Sequence, residues 1–191
     1  DLHLCDRRQR QMCIRDRIYT ARLSSEGIEG SRYWYSSTNP FYPAYGLPNC
    51  TCYAWGRFWE ISVQSGDEHV PHLPTGNGGE WWGAVSGYET GQTPALGAVA
   101  CFAEAGSFGH VAIVEQITEW GFRSSNSGYP SSFFFTDEHR KDNGYLGTWM
   151  TNGRWSFQGF IYNPYACQSV TPQPPEDSGG SKLWMYCGRV F

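Results

Sequence analysis

The chain has 191 residues, a formal net charge of -4 and a pI near 5.7, which argue against nucleic acid or an anionic membrane surface as a partner. It is long enough for one domain with a hydrophobic core, and no apolar run reaches the length of a membrane span. Seven cysteines, an odd number without zinc-type spacing, favour free thiols over disulfides and predict no metal site.

The two ends of the chain differ in composition from its middle. Residues 1–17 are rich in arginine and lack an apolar signal-peptide core, so we expect an artefactual or disordered extension that resembles translated adapter sequence. A basic nucleic-acid-binding arm is the alternative. Residues 168–182 are rich in Pro, Gly and Ser and predict a linker. Residues 183–191 then read as the start of a truncated second module, or as a tail that packs on the main domain, residues 18–167.

The first predicted element of the main domain is a helix. Pro48 favours extended backbone before it, and Asn49 is a good N-cap because its side chain can accept a bond from a free helical N–H group. The helix is predicted to begin at Cys50 and to end near Val63. Apolar residues form two stripes at helical spacing, so the helix is expected to be buried on most sides.

After this helix, the sequence predicts a short helix over residues 80–86 and four strands, at residues 97–102, 110–117, 122–126 and 155–163. One long helix followed by an antiparallel sheet predicts an α+β domain. In the second strand, His110, Ala112 and Val114 share one face, and the small residues on that face are expected to let the helix pack closely. His139, like two other histidines in polar stretches, is expected to be solvated.

Cys50 and His110 are the two parts of a nucleophilic site. A helix N-terminus lowers the pKa of a thiol, and a neighbouring histidine can take its proton. Cys52 is the rival nucleophile, but two positions along a helix turn its side chain by about 200°. A Cys-x-Cys metal or redox pair is the remaining alternative. A lone histidine at the start of a strand is more often structural, so the assignment of His110 depends on Cys50.

Two segments, residues 49–53 (NCTCY) and 109–115 (GHVAIVE), resemble motifs of the CHAP family of cysteine, histidine-dependent amidohydrolases/peptidases, found in phage lysins and bacterial cell-wall enzymes. The first departs from the family pattern only at Cys52, which replaces an aromatic residue. Residues 96–100 (LGAVA) resemble the preceding strand of the family, and the resemblance covers about residues 36–165. It implies a papain-like fold, in which the helix that carries the nucleophile packs on an antiparallel sheet.

This resemblance implies that Cys50 is the nucleophile and that His110 is the general base. Asn126 occupies a position where the family often carries an acid, and an asparagine can hold the imidazole in the right tautomer. Ser124 or Ser125 could instead be the neighbour of the histidine, in which case Asn126 is a turn residue.

The sequence also offers candidates for the remainder of the site. The backbone N–H of Cys50 is expected to form the oxyanion hole, helped by Asn49, although the cap role of Asn49 competes. The candidate residues for the walls of the cleft are Trp81, Trp82 and Tyr129.

The resemblance therefore implies a peptidoglycan hydrolase that cleaves an amide bond in the Gram-positive cell wall. It would act as an N-acetylmuramoyl-L-alanine amidase, or as an endopeptidase on a cross-bridge or stem peptide, without a metal or organic cofactor. We expect a monomer that is made in the host cytoplasm and reaches the wall after release. The alternatives are a phage tail-associated wall hydrolase and a catalytically inactive wall-binding domain.

Overall fold

A computed structural model describes residues 19–166, which form two α-helices, two 3₁₀ turns and six strands. Helix α1 spans Cys50–Gln64 and helix α2 spans Trp81–Ala84, directly after the 3₁₀ turn Gly78–Glu80. The strands are β1 Thr90–Gly91, β2 Val99–Glu104, β3 His110–Thr118, β4 Gly121–Gly128, β5 Ser132–Arg140 and β6 Trp155–Ile161, and the second 3₁₀ turn is Lys141–Asn143. The expected N-terminal extension, linker and second module lie outside the described residues.

Helix α1 begins where the sequence predicts and is buried along most of its length. The Oδ1 atom of Asn49 accepts a hydrogen bond from the N–H of Cys52 at 2.9 Å, which confirms the predicted N-cap. All residues from Thr51 to Ser62 are buried. The helix therefore contributes its core contacts on more than one side, as the two apolar stripes predicted.

The six strands form one antiparallel sheet in the order β1-β6-β2-β3-β4-β5, and the predicted α+β class is confirmed. All four predicted strands form, with ends that differ from the prediction by two residues or fewer. The sequence did not predict the short β1 or the nine-residue β5. The sequence of strand β5 lacks a clear alternation of apolar and polar residues, because the apolar run FFF is separated only by Thr136 from the ionisable run DEHR.

The sheet is covered on both faces, and helix α1 packs on the face that carries Val111 and Ile113. The prediction that it packs against His110, Ala112 and Val114 is therefore wrong. Those three residues do share a face, but it is the opposite one, where Ala112 and Val114 pack among aromatic rings. The larger Val111 and Ile113 side chains fill the space under the helix. His110 still reaches Cys50, because it is the first residue of its strand.

A buried ion pair joins helix α1 to strand β3. Arg57 Nε and Nη2 donate to the two carboxylate oxygens of Glu115 at 2.9 and 3.0 Å, and neither side chain is exposed. Burial lowers the pKa of the Arg57 guanidinium, but the Glu115 carboxylate raises it well above its ordinary value, so the guanidinium stays charged. Glu115 also accepts hydrogen bonds from Tyr19 and Ser125. The register between the helix and the sheet is thereby fixed at one point.

Replacing Arg57 with methionine should destabilise the fold strongly, because Glu115 would keep a buried charge without its main partner. We expect Arg57→Met to lose about 3–5 kcal/mol of the free energy of unfolding, measured by urea denaturation followed by circular dichroism. The matched control is Arg140→Met, which breaks an exposed pair with Asp142 and should cost about 1 kcal/mol or less. Equal losses in the two variants would contradict a central role of the buried pair.

Candidate active site

The thiol of Cys50 lies at the N-terminus of helix α1, half-buried and hydrogen-bonded to His110. Burial raises the pKa of this thiol. The hydrogen bond and the charge of His110, together with the backbone N–H groups of Val111 and Thr51, outweigh that effect and bring the pKa below its ordinary value. The surroundings of the thiol therefore favour its thiolate form.

Asn126 lies on the other side of the His110 ring. His110 Nε2 and Asn126 Oδ1 are 3.0 Å apart, on the neighbouring antiparallel strands β3 and β4. An amide oxygen only accepts hydrogen bonds, so Nε2 carries a proton and Nδ1 is left to face the thiol. The structure thus brings together Cys50, His110 and Asn126, the three residues that the sequence singled out. Of the alternatives, Ser124 contacts Asn126 rather than the imidazole, and Ser125 points to Glu115.

Asn49 acts first as the helix cap. Its Oδ1 atom accepts bonds from the N–H of Cys52 and from the hydroxyl of Thr51, and its backbone N–H donates to Ser127 Oγ at 3.1 Å. The side-chain amide Nδ2 is then the donor that Asn49 could offer to an oxyanion. The cap role and the predicted oxyanion role therefore use different atoms.

Cys52 is poorly suited to be the nucleophile. Its side chain is fully buried, and burial, with a smaller effect from Cys50, raises the pKa of its thiol to about 12. Both cysteines are free thiols. Within residues 19–166, no group of three or more His, Cys, Asp or Glu side chains is arranged to hold a metal ion.

The aromatic residues predicted for the cleft have different positions. Trp81 is fully buried, donates to the Gly76 carbonyl and packs on Phe41, so the expectation that it lines the cleft is wrong. Trp82 is half-buried and packs against the backbone of strand β6. Tyr129 is 79% exposed in the turn that follows β4. The large apolar ring of Trp81 is therefore part of the hydrophobic core.

Trp149, which was expected in the core and not in the site, contacts the site directly. Its ring meets the His110 ring edge-on at 5.2 Å between centroids and remains 42% exposed. The Asp137 carboxylate fixes the loop before it, accepting bonds from the N–H and the hydroxyl of Thr148 at 3.0 and 2.6 Å. Trp149 therefore forms an aromatic wall beside the imidazole. Its signal in the sequence is weak, because a lone Trp in a loop has no periodicity.

Two glycine segments meet beside the imidazole. A Cβ atom on Gly109, whose φ is +69°, would lie 2.5 Å from the backbone of Gly79 and from the Phe102 carbonyl. A Cβ atom on Gly78 would lie 3.0 Å from the backbone of His110. The 3₁₀ turn before helix α2 therefore packs directly on the start of strand β3. This contact forms one rigid side of the site.

His139 is not solvated, and that prediction is wrong. It lies on strand β5, fully buried, with its ring stacked on Phe122 at 4.4 Å and its Nε2 atom 2.8 Å from Ser124 Oγ. The polar run around it suggested a loop, but over residues 137–140 the strand buries every second side chain. His139 and Asp137 face inward, and Glu138 and Arg140 face solvent.

A helix N-terminal cysteine that faces a histidine and an asparagine on adjacent antiparallel strands is the arrangement of papain-like proteins. Residues 38–128 match the family model of the CHAP domain, which confirms the resemblance that the motifs indicated. A segment of 48 residues is also 46% identical to a protein of Streptococcus mutans serotype c that is provisionally described as a hydrolase. That match covers 24% of this chain and 22% of the relative, so the chain matches about a fifth of the relative's length. Both matches indicate a hydrolase.

The two neighbouring cysteines should differ widely in reactivity at neutral pH. We expect iodoacetamide to alkylate Cys50 more than about a hundred-fold faster than Cys52, because only the pKa of Cys50 is lowered and only Cys50 is partly exposed. Tandem mass spectrometry after timed labelling would measure both rates across a pH series. The Cys50→Ala variant is the control, and its Cys52 should remain unlabelled. A Cys50 rate no higher than that of a free cysteine would contradict the described site.

Proposed function

We propose that this CHAP domain hydrolyses an amide bond of bacterial peptidoglycan, with Cys50 as the nucleophile. The observation that supports this most strongly is the contact of a helix N-terminal thiol with an imidazole that Asn126 orients. A structural histidine would need no such thiol, and a buried structural cysteine would have a raised pKa, as Cys52 and Cys101 have.

In the first step, His110 Nδ1 takes the proton of the Cys50 thiol. The thiolate attacks the carbonyl carbon of the scissile amide, so that a C–S bond forms and the carbonyl π electrons move to oxygen. The imidazolium that results donates its Nε2–H to Asn126 Oδ1 at 3.0 Å, which stabilises its charge and its orientation.

The helix N-terminus then stabilises the negative oxygen. Cys50 is the first residue of helix α1, so its backbone N–H has no acceptor within the helix. This N–H group, at the positive end of the helix dipole, is the donor that would bind the oxyanion. Collapse of the intermediate breaks the C–N bond, and the leaving amine takes the proton from His110. Water, deprotonated by the same histidine, next attacks the thioester, breaks the C–S bond and frees the thiol.

The choice of substrate follows from the family and from the surface near the site. The resemblance to the CHAP family implies a substrate in the bacterial cell wall. The exposed side chains of Phe108, Tyr129 and Trp149 offer stacking surfaces for sugar or peptide. The scissile bond in this proposal is the N-acetylmuramoyl-L-alanine link or a cross-bridge or stem-peptide bond. In this role the protein is a phage lysin-like monomer that acts on the Gram-positive wall after release from the host cytoplasm.

Digestion of purified Gram-positive peptidoglycan, followed by mass spectrometry of the products, tests this function. The wild type should release new amine termini, and Cys50→Ala should lower their rate of appearance more than about a thousand-fold because no thiolate remains. A new L-alanine amine identifies an amidase, whereas a new cross-bridge or stem amine identifies an endopeptidase.

Cys52→Ala is the matched control, because it removes a thiol two residues away whose pKa is raised. It should keep most of the activity. Loss of activity in Cys52→Ala with retention in Cys50→Ala would reverse the assignment. A folded wild type that binds the wall but releases no termini would favour the wall-binding alternative.

A further inference from the structure

A line of three buried polar side chains continues from the catalytic imidazole away from the thiol. Asn126 Nδ2 donates to Ser124 Oγ at 2.8 Å, and Ser124 Oγ lies 2.8 Å from His139 Nε2. The other ring nitrogen of His139, Nδ1, lies 2.9 Å from the backbone carbonyl of Tyr145. Ser124, Asn126 and His139 are each at most 1% exposed, so water does not replace these bonds.

The direction of every bond in this line follows from the last acceptor. The Tyr145 carbonyl can only accept, so His139 Nδ1 carries a proton, and in a neutral ring Nε2 must then accept the hydroxyl proton of Ser124. Ser124 Oγ is thereby left with its lone pairs toward Asn126, which must offer its NH₂ group there. Its Oδ1 atom is consequently turned toward His110.

The reverse orientation of the Asn126 amide leaves bonds unsatisfied. It would place an NH₂ group against the protonated Nε2 of His110 and would require Ser124 to donate to Asn126 instead of His139. His139 Nε2 would then need a proton of its own, which a neutral ring already bonded through Nδ1 does not have. An amide oxygen against Nε2–H stabilises the imidazolium, and an NH₂ group opposes it.

We infer that His139, through Ser124, is a positioning residue that fixes the orientation of the Asn126 amide and thereby favours the Cys50–His110 ion pair. We name Asn126, Ser124 and His139 the amide relay. The inference rests on the proposed function only in taking Cys50 as the nucleophile. It assigns a role to strand β5, which carries His139.

The surroundings of His139 keep its ring neutral and still. Phe122 and Phe102 stack on it at 4.4 and 5.3 Å between centroids, and Asp137 is the charged group whose field reaches it. Burial lowers the pKa of His139, and the Tyr145 carbonyl and Asp137 offset this only in part. A protonated ring would donate from both nitrogens and would remove the acceptor on which the direction of the relay depends.

The pH profile of Cys50 alkylation tests the amide relay without any substrate. Ser124→Ala should move the midpoint of the profile upward by about one pH unit, because Asn126 loses the partner that orients it and the imidazolium loses stabilisation. His139→Phe keeps the aromatic stack and should move the midpoint in the same direction. Asn126→Ala should move it at least as far.

The double variant Ser124→Ala/Asn126→Ala separates positioning from packing. If Ser124 acts through Asn126, the double variant has the same midpoint as Asn126→Ala alone. Shifts that add would overturn the inference, as would an unchanged midpoint in both Ser124→Ala and His139→Phe. Ser125→Ala is the matched control: it removes an adjacent, equally buried hydroxyl that bonds Glu115 on the other face, and its midpoint should equal that of the wild type.

Long-range ¹⁵N–¹H spectra of the wild-type imidazoles test the same inference where a variant does not fold. His139 should be the Nδ1–H tautomer, with an unprotonated Nε2, and His110 should be protonated at Nε2. A His139 ring protonated at Nε2 at neutral pH would overturn the relay. Both readouts are independent of wall digestion, so an inactive enzyme with an intact relay would reject the proposed substrate and not this inference.

Discussion

The pair of Arg57 and Glu115 is the constraint on which the remaining geometry depends. The thiol belongs to a helix and the imidazole to a strand, and these two elements come from distant parts of the chain. A displacement of about 1 Å between them would break the contact from which the reactivity of Cys50 derives. The bidentate ion pair lies two helical turns from Cys50 and five residues from His110. Because both side chains are fully buried, water cannot replace the ion pair if the helix shifts along the sheet. The register between helix α1 and strand β3 therefore has one favoured value.

The sheet serves the site from both faces. The face under helix α1 holds the thiol in place through apolar packing and through Asn49, whose backbone bonds Ser127. The opposite face carries the imidazole, its asparagine and the aromatic cover that includes Trp149. Because side chains alternate along a strand, adjacent residues of β4 are assigned to separate tasks. Ser125 supports the ion pair, and Ser124 supports the amide.

Much of the fold and the centre of the site could be predicted from the sequence. Asn49 before an amphipathic run predicts where the helix begins, and the alternation after His110 predicts a strand, because caps and periodicity are local signals. The face on which the helix packs was predicted wrongly, since the size of Ala112 and Val114 does not reveal which layer covers them. Strand β5 and the burial of His139 depend on pairing with β4, which no local pattern encodes. Trp149 reaches His110 only through the loop that Asp137 fixes.

The close approach of the two glycine segments also has a consequence for protein engineering. Positions 78, 79 and 109 admit no side chain without displacing backbone atoms beside the imidazole. Combinatorial libraries intended to redirect specificity should therefore leave these three codons constant. The diversity belongs at Phe108 and Tyr129, whose exposed rings can be exchanged for other shapes and charges with little loss of buried contact. The exposed rings can thus be varied while the rigid glycine contact beside the imidazole is kept unchanged.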